Sequence, residues 1–319
     1  MKDLLRISDL SPKDLEHVLD LSQRVHDEPH LHAGLIEGET VITYFAKPST
    51  RTRLSFGSAI THLGGVPEVV GPNELQLGRG ETIEDTARVV SRYAKAFVIR
   101  TYSDDDVRRF AAAATIPVIN ALTDLHHPCQ ALADLLTLRQ HFGVLKGLRL
   151  AYLGDGNNVA HSLLEACALA GIDIIVATPP GYECDPDVIR TAGRLSDRSG
   201  SLVLPVHDPL FAVSGADVVY TDVWLSMNDT DDQKAARAEA LARYQVNAAV
   251  MHEASPDAVF LHCLPAHRGE EVSAGVIDGP QSLILDEAEN RMHTAQALLV
   301  SLILGQLTGA PGLVTTGTF

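Results

Sequence analysis

Val41-Ile42-Thr43-Tyr44-Phe45-Ala46-Lys47-Pro48-Ser49-Thr50-Arg51-Thr52-Arg53 runs from an apolar, strand-like segment into a turn rich in hydroxyls and guanidiniums. Beyond the turn, Phe56, Ala59, Ile60 and Leu63 fall at i, i+3, i+4 and i+7, the apolar stripe of a helix. A strand that feeds a helix in this way is the opening of a βαβ unit and points to a parallel-sheet α/β fold. The turn also carries chemistry. Ser49 or Thr50 sits at the helix N-cap, where free backbone N–H groups and the positive end of the helix dipole converge on an anion. Arg51 and Arg53 add forked, charge-assisted hydrogen bonds. Two hydroxyls and two guanidiniums together favour a phosphate or carboxylate grip over a capped helix with solvated arginines.

Outward from this unit, strand-like and helix-like segments keep alternating. The first half predicts strands at 41–46, 66–70, 96–100 and 117–120. The second half predicts them at 148–153, 173–178, 202–206, 217–222 and 259–263. Between the halves, His127-Pro128 starts a long helix with proline at its first position and Leu132, Leu135 and Leu136 on one face. The expected domains are 1–137 and 138–288, with a C-terminal helix at about 289–306 packing back on the first.

Composition narrows the function classes. A chain of 319 residues with 45% hydrophobic and 21% charged content has room for two ordinary globular domains. A net charge of −16 argues against nucleic-acid and acidic-membrane surfaces, so the arginines form a local positive site in an acidic protein. Cys129, Cys167, Cys184 and Cys263 form no CxxC pair, which argues against a disulfide framework or zinc knuckle and for a reducing cytoplasm. Met1 to Leu5 is followed at once by the helix start Ser11-Pro12 rather than a signal-peptide core, and no run approaches a membrane span.

Ligands of open α/β sheets bind at the carboxyl ends of strands, so the polar strand ends are the candidates. Arg100 follows Ile99 and aims at the same crevice as Ser49 to Arg53. His127 and Gln130 open the linking helix, where an imidazole N–H and an amide can meet a carbonyl oxygen. Gly154-Asp155-Gly156-Asn157-Asn158 follows a strand and opens a helix, yet lacks the third glycine of a dinucleotide fingerprint. The next strand ends in Pro179-Pro180, where an acidic residue should receive the ribose, so NAD is rejected. Asp222 ends another strand, placed to receive a cationic amine. His262-Cys263-Leu264-Pro265-Ala266-His267 gathers titratable groups, but its proline and spacing do not suit a helical metal motif, and no metal is expected.

Ser-Thr-Arg-Thr-Arg at 49–53, His-Pro-Cys-Gln at 127–130, Asp-Val-Trp-Leu-Ser-Met at 222–227 and His-Cys-Leu-Pro at 262–265 together resemble the ornithine branch of the aspartate/ornithine carbamoyltransferases. The first two motifs are shared across that family; Ser-Met and His-Cys-Leu-Pro point to the ornithine branch. The resemblance spans nearly the whole chain. It implies a carbamoyl-phosphate domain and a Rossmann-like ornithine domain joined by the linking helix, the C-terminal helix returning to the first. It also implies a homotrimer or a multiple of trimers, with neither metal nor organic cofactor.

Residue by residue, the resemblance assigns Ser49, Thr50, Arg51, Thr52 and Arg100 to the phosphate, joined by Gln76 from a neighbouring subunit. Thr52, Arg100 and His127 would contact the carbamoyl oxygen, Gln130 the carbamoyl nitrogen, and Arg291 the carbamoyl group. Asn158, Asp222, Ser226 and Met227 would hold the amino-acid end of ornithine, while Cys263 and the Leu264 carbonyl would meet its side-chain amine. Arg51, Arg100, His127 and Cys263 are the catalytic candidates. The implied products are citrulline and phosphate, a step of arginine biosynthesis. One position departs from the pattern. Asn228 replaces the family's usual glycine and is followed by an acidic run, which leaves open a related amine acceptor such as acetylornithine, putrescine or a specialised-metabolite amine. A catalytically silent binding homologue is the other alternative.

Overall fold

The computed structural model describes residues 1–76, 80–224 and 231–310. Helix α1 (Pro12–Asp27) starts as its sequence requires: the Ser11 hydroxyl accepts from the Asp14 N–H, the Asp14 carboxylate accepts from the Ser11 N–H, and proline takes the first turn. The first sheet is built from β1 (Thr40–Phe45), α2 (Arg51–His62), β2 (Val66–Val70), α3 (Ile83–Val90), β3 (Ala96–Arg100), α4 (Asp104–Ala113) and β4 (Val118–Leu122). Helix α5 (Pro128–Phe142) then leads to β5 (Arg149–Leu153), α6 (Asn158–Ala170), β6 (Asp173–Ala177), α7 (Pro186–Ser199), β7 (Val203–Val206), α8 (Pro209–Val213), β8 (Val218–Thr221), α9 (Asp231–Leu241), α10 (Ala248–Glu253) and β9 (Val259–Leu261). The chain closes with α11 (Ala274–Ile277) and the long α12 (Ile284–Ile303).

Among the described residues every strand pairing is parallel, in the orders β2-β1-β3-β4 and β7-β6-β5-β8-β9. The predicted strand segments all fall on these strands, with ends shifted by no more than two residues. The order has a sequence rationale. Pro67 and Pro205 lie in β2 and β7, both edge strands, where a missing N–H leaves no gap in a ladder. The strands β5, β6 and β8, covered on both faces, are almost wholly buried.

In each sheet the chain reverses its direction of winding once, between β1 and β3 and between β5 and β8. At such a switch point adjacent loops part and open a crevice at the carboxyl ends of the strands. The loop after β1 carries Ser49 to Arg51, β3 ends at Arg100, the loop after β5 carries Asn157, and Asp222 follows β8. Fold topology therefore places the candidate residues before any side-chain contact is considered.

Two helices depart from the simple amphipathic reading. Residues 128–138 of α5 are buried all round, not along one leucine face, because α5 packs against β4, α1, α6 and α12 together. Helix α12 begins five residues earlier than expected and packs on α1, α2 and α5, so the C-terminal helix does return to the first sheet. Its buried face carries Glu287, Asn290, Arg291, His293 and Gln296, an unusually polar face for an interior helix. Among the described residues no helix is long and apolar enough to cross a membrane.

Candidate active site

The β1–α2 turn is capped by Ser49, whose Oγ accepts from the Thr52 N–H at 3.2 Å; Thr50 is already helical and makes no side-chain cap. Arg51 opens α2 and donates through Nη2 to the Leu264 carbonyl across the crevice at 2.5 Å. Arg100 is turned by an irregularity in the β3–β4 register, where Ile99 faces Asn120 but Arg100 faces Leu122. Arg291 comes from α12, donating to Gln130 Oε1 at 2.5 Å and to Thr52 Oγ1 at 3.3 Å.

These guanidiniums crowd one another. Burial first, then the charges of Arg291 and Arg51, lower the pKa of Arg100 to about 10. Burial likewise lowers Arg51, with Arg291 adding to the effect. His127 is held well below the ordinary histidine value, by burial first and then by Arg291, Arg100 and Arg51. It is a neutral imidazole at pH 7 in a field that favours electron-rich ligands. Arg100 Nε, Arg291 Nε and His127 Nδ1 are buried without a protein partner. Unspent buried polar groups around a positive centre suit an anion that also offers a carbonyl oxygen.

The opposite wall is acidic and thiol-bearing. Asp222 is 6% exposed; its Oδ1 accepts from the Cys263 thiol at 3.0 Å and its Oδ2 from Asn157 Nδ2 at 2.7 Å. Burial first, then the charge of Asp222, raises the Cys263 pKa well above the ordinary thiol value. Cys263 is therefore a thiol donor rather than a thiolate. Next to it, Leu264 adopts φ 57°, a left-handed conformation that costs a β-carbon-bearing residue energy and turns its carbonyl to Arg51. Asp222, His262 and Cys263 offer donor atoms within 4.8 Å of one another, as a metal would need. Here Cys263 donates to Asp222 and His262 Nδ1 accepts from the Leu264 N–H.

The β5–α6 turn is shaped by its glycines. Gly154 takes φ +143°, and a Cβ on Gly156 would lie 2.3 Å from the Cys184 backbone nitrogen. Gly156→Ala is expected to destabilise the protein by about 1–3 kcal/mol, read as a lower denaturation midpoint, because backbone and not a movable side chain blocks the methyl.

The sequence candidates fall as follows. Ser49, Thr50, Arg51, Thr52, Arg100, His127, Gln130 and Arg291 gather on the cationic side, with Asp222, Cys263 and Leu264 facing them. Asn158 points elsewhere, donating to the Thr123 carbonyl at 2.6 Å and tying α6 to the loop before α5. Its neighbour Asn157 holds Asp222 and caps α6, which the motif did not distinguish. Gln76 is exposed after edge strand β2, away from the crevice's own contacts. Ser226, Met227 and Asn228 lie outside the described residues. Sequence reading missed Asp134, Tyr220 and Glu287, buried behind Gln130. Glu287 stands four residues before Arg291 on one helix face, but an acid in a first helical turn is ordinarily read as a dipole partner.

Comparison with known proteins gives a consistent picture. Residues 2–140 match the family described as "Aspartate/ornithine carbamoyltransferase, carbamoyl-P binding domain", and residues 146–302 match "Aspartate/ornithine carbamoyltransferase, Asp/Orn binding domain". The chain is similar to the ornithine carbamoyltransferase of Parafrankia sp., with 52% identity covering 96% of both chains. Another such relative, from Acidothermus cellulolyticus, is 51% identical over 95% of this chain and 97% of its own. Among solved structures, the ornithine carbamoyltransferase of Pyrococcus furiosus superposes with a TM-score of 0.91 at 46% identity, covering 96% of this chain and 98% of that one. The anabolic enzyme of Campylobacter jejuni gives a TM-score of 0.89 at 34% identity, covering 96% of this chain and 100% of its own. With both halves matched and relatives at 52% and 51% identity along nearly the whole chain, this chain belongs to the aspartate/ornithine carbamoyltransferase family.

Proposed function

We propose that the chain transfers the carbamoyl group of carbamoyl phosphate to the side-chain amine of L-ornithine, giving L-citrulline and phosphate in arginine biosynthesis. The observation that carries this reading is a three-arginine cluster with a neutral histidine facing an Asp222–Cys263 pair across one crevice. The cations suit a phosphoryl dianion. The carboxylate opposite suits a cationic amino acid better than the second carboxylate of aspartate, which it would repel.

In this reading Ser49, Thr50, Arg51 and Thr52 take the phosphate on the α2 N-terminus, with Arg100 clamping it. Gln76 completes the site from a neighbouring subunit of a homotrimer, which its exposed position beyond an edge strand permits. Asp222, held by Asn157, receives the α-ammonium of ornithine, with Ser226 and Met227 holding the same end; Asn158, tied to the Thr123 carbonyl, takes no part unless it turns from that bond. The neutral amine attacks the carbamoyl carbon, and its electron pair forms the new C–N bond. Negative charge gathers on the carbonyl oxygen, where Thr52, Arg100 and His127 donate to it. The C–O bond to phosphate then breaks, phosphate leaves with that pair, and the amine's proton passes to phosphate or solvent. Cys263 orients the incoming amine as a thiol, not as a base. The four free cysteines, three of them buried, favour a reducing cytoplasm.

The test is citrulline formation from carbamoyl phosphate with L-ornithine, beside N-acetylornithine, putrescine, lysine and aspartate. Turnover with ornithine alone and a loss of at least about 100-fold in Arg51→Ala are expected. Turnover confined to another amine would move the acceptor and locate the cause at Asn228. No phosphate release with any acceptor would overturn the assignment.

A further inference from the structure

Behind the reacting groups lies a second, fully buried layer that no role has yet explained. Gln130 Nε2 donates to Asp134 Oδ1 at 2.8 Å and to Glu287 Oε1 at 2.7 Å, while Gln130 Oε1 accepts from Arg291 Nη1. Glu287 Oε1 also accepts from the Tyr220 hydroxyl at 3.2 Å, and Oε2 from the His262 N–H at 3.0 Å. These groups come from α5, α12, β8 and the loop after β9, so one carboxylate on the C-terminal helix ties the second sheet to the linking helix. Asp134 and Glu287 are 0% and 1% exposed.

An amide can usually flip and exchange its donor and acceptor ends. Here it cannot. A guanidinium has donors only, so it demands the amide oxygen, and a carboxylate crowded by donors demands the amide nitrogen. We infer that Asp134 and Glu287 are a positioning pair that locks the Gln130 amide with its oxygen toward the crevice, making Gln130 the reader of an NH2 group on the transferred unit. The site would thereby distinguish a carbamoyl phosphate from an acyl phosphate that carries a methyl in the same place. This rests on Gln130 meeting the carbamoyl nitrogen.

The protonation of the pair fits the same arrangement. Burial first, then the neighbouring charge of Asp134, raises Glu287 well above the ordinary carboxylate range, and burial raises Asp134 to about 7. Two adjacent buried carboxyls retain one proton between them. Burial and charge raise Glu287 the further, but three donors converge on it and none on Asp134 Oδ2, so the hydrogen-bond geometry puts the shared proton on Asp134, facing Glu287. Glutamine at 287 would set an NH2 against one of the three donors and release the Gln130 amide or the His262 loop. Asparagine at 134 reproduces a protonated aspartic acid, one acceptor to Gln130 and one donor to Glu287.

Acetyl phosphate keeps the phosphate and carbonyl of the substrate and replaces NH2 by methyl. The readout is the ratio of its inhibition constant to the KM of carbamoyl phosphate, measured on the full-length protein. Glu287→Gln is expected to lower this ratio about 10-fold or more, because the NH2 loses its acceptor while phosphate binding is kept. Asp134→Asn is expected to hold the ratio within about 2-fold. A merely structural role would weaken both ligands together and leave the ratio unchanged. Should Glu287→Gln not fold, Asp134→Leu removes the amide's other acceptor with a side chain of the same branched shape and is expected to lower the ratio in the same direction. Gln130→Ala separates the two layers of the argument. A collapsed ratio in Gln130→Ala with an intact one in folded Glu287→Gln or Asp134→Leu would overturn the positioning pair alone. An intact ratio in Gln130→Ala would remove the reading of Gln130, and the proposal with it.

Discussion

Replacing Arg100 by methionine is expected to lower kcat by about 100- to 1000-fold and, in the same protein, to raise the melting temperature of the ligand-free form by about 1–3 °C. The first effect follows from position. Arg100 ends β3 at the switch point, and its Nε is a buried donor with no protein partner. In the proposed reaction it donates to the carbonyl oxygen, whose charge grows as the amine attacks. The second follows from the same geometry. Burial and two neighbouring guanidiniums lower its pKa to about 10, so its positive charge at pH 7 works against folding. Methionine keeps the unbranched stem and removes the charge. Carbamoyl phosphate supplies the missing negative charge, so the shift in melting temperature that it induces should be larger in the wild type than in Arg100→Met. Arg100→Lys keeps the charge and is expected to recover little activity, because an ammonium cannot reproduce the fork. A variant that melts lower while kcat stays within about threefold would sink this account.

The strands, the helix start at Ser11-Pro12 and the α2 stripe were legible because each depends on residues close together in sequence. The parallel sheets were legible too, since alternating strands and helices allow few other topologies; the strand order that sets the switch points was not. What sequence did not reveal depends on packing across elements. Leu132, Leu135 and Leu136 suggested a one-faced α5, but Gln130, Asp134 and Thr137 are buried as well because α12 covers what would be the wet face. Asn157 and Asn158 were indistinguishable until the turn geometry sent one to Asp222 and the other to Thr123. Glu287 is separated from Gln130 by most of the second sheet in sequence, and only the return of α12 brings them together. Ser49, Arg51 and Arg100 could be named in advance because strand ends announce themselves. The layer behind Gln130 could not, because Asp134, Tyr220 and Glu287 look like ordinary members of their helices and strand.

Between pH 6 and pH 8, kcat/KM for ornithine at saturating carbamoyl phosphate is expected to rise about 100-fold, with a slope near one on a logarithmic scale. Attack needs an amine lone pair, and a side-chain ammonium of the lysine type holds its proton to about pH 10.4. Each pH unit in this window therefore raises the reactive fraction about tenfold. The three groups placed to meet the reacting atoms add no break, and Asp134, raised to about 7 one layer behind them, adds one only if its ionisation frees the Gln130 amide. His127 is held well below 6.5, so it has lost its proton before the window opens. Cys263 is held well above 9 and Arg100 near 10, so both keep theirs until the window has closed. His127→Asn should then lower the whole profile by about 100-fold through loss of a donor to the carbonyl oxygen, without changing its slope. A break between pH 6 and 7 that disappears in His127→Asn would mean that the imidazole titrates in the window. It would then be acting as a base, and the three arginines around it argue against that role because each makes a protonated His127 harder to form.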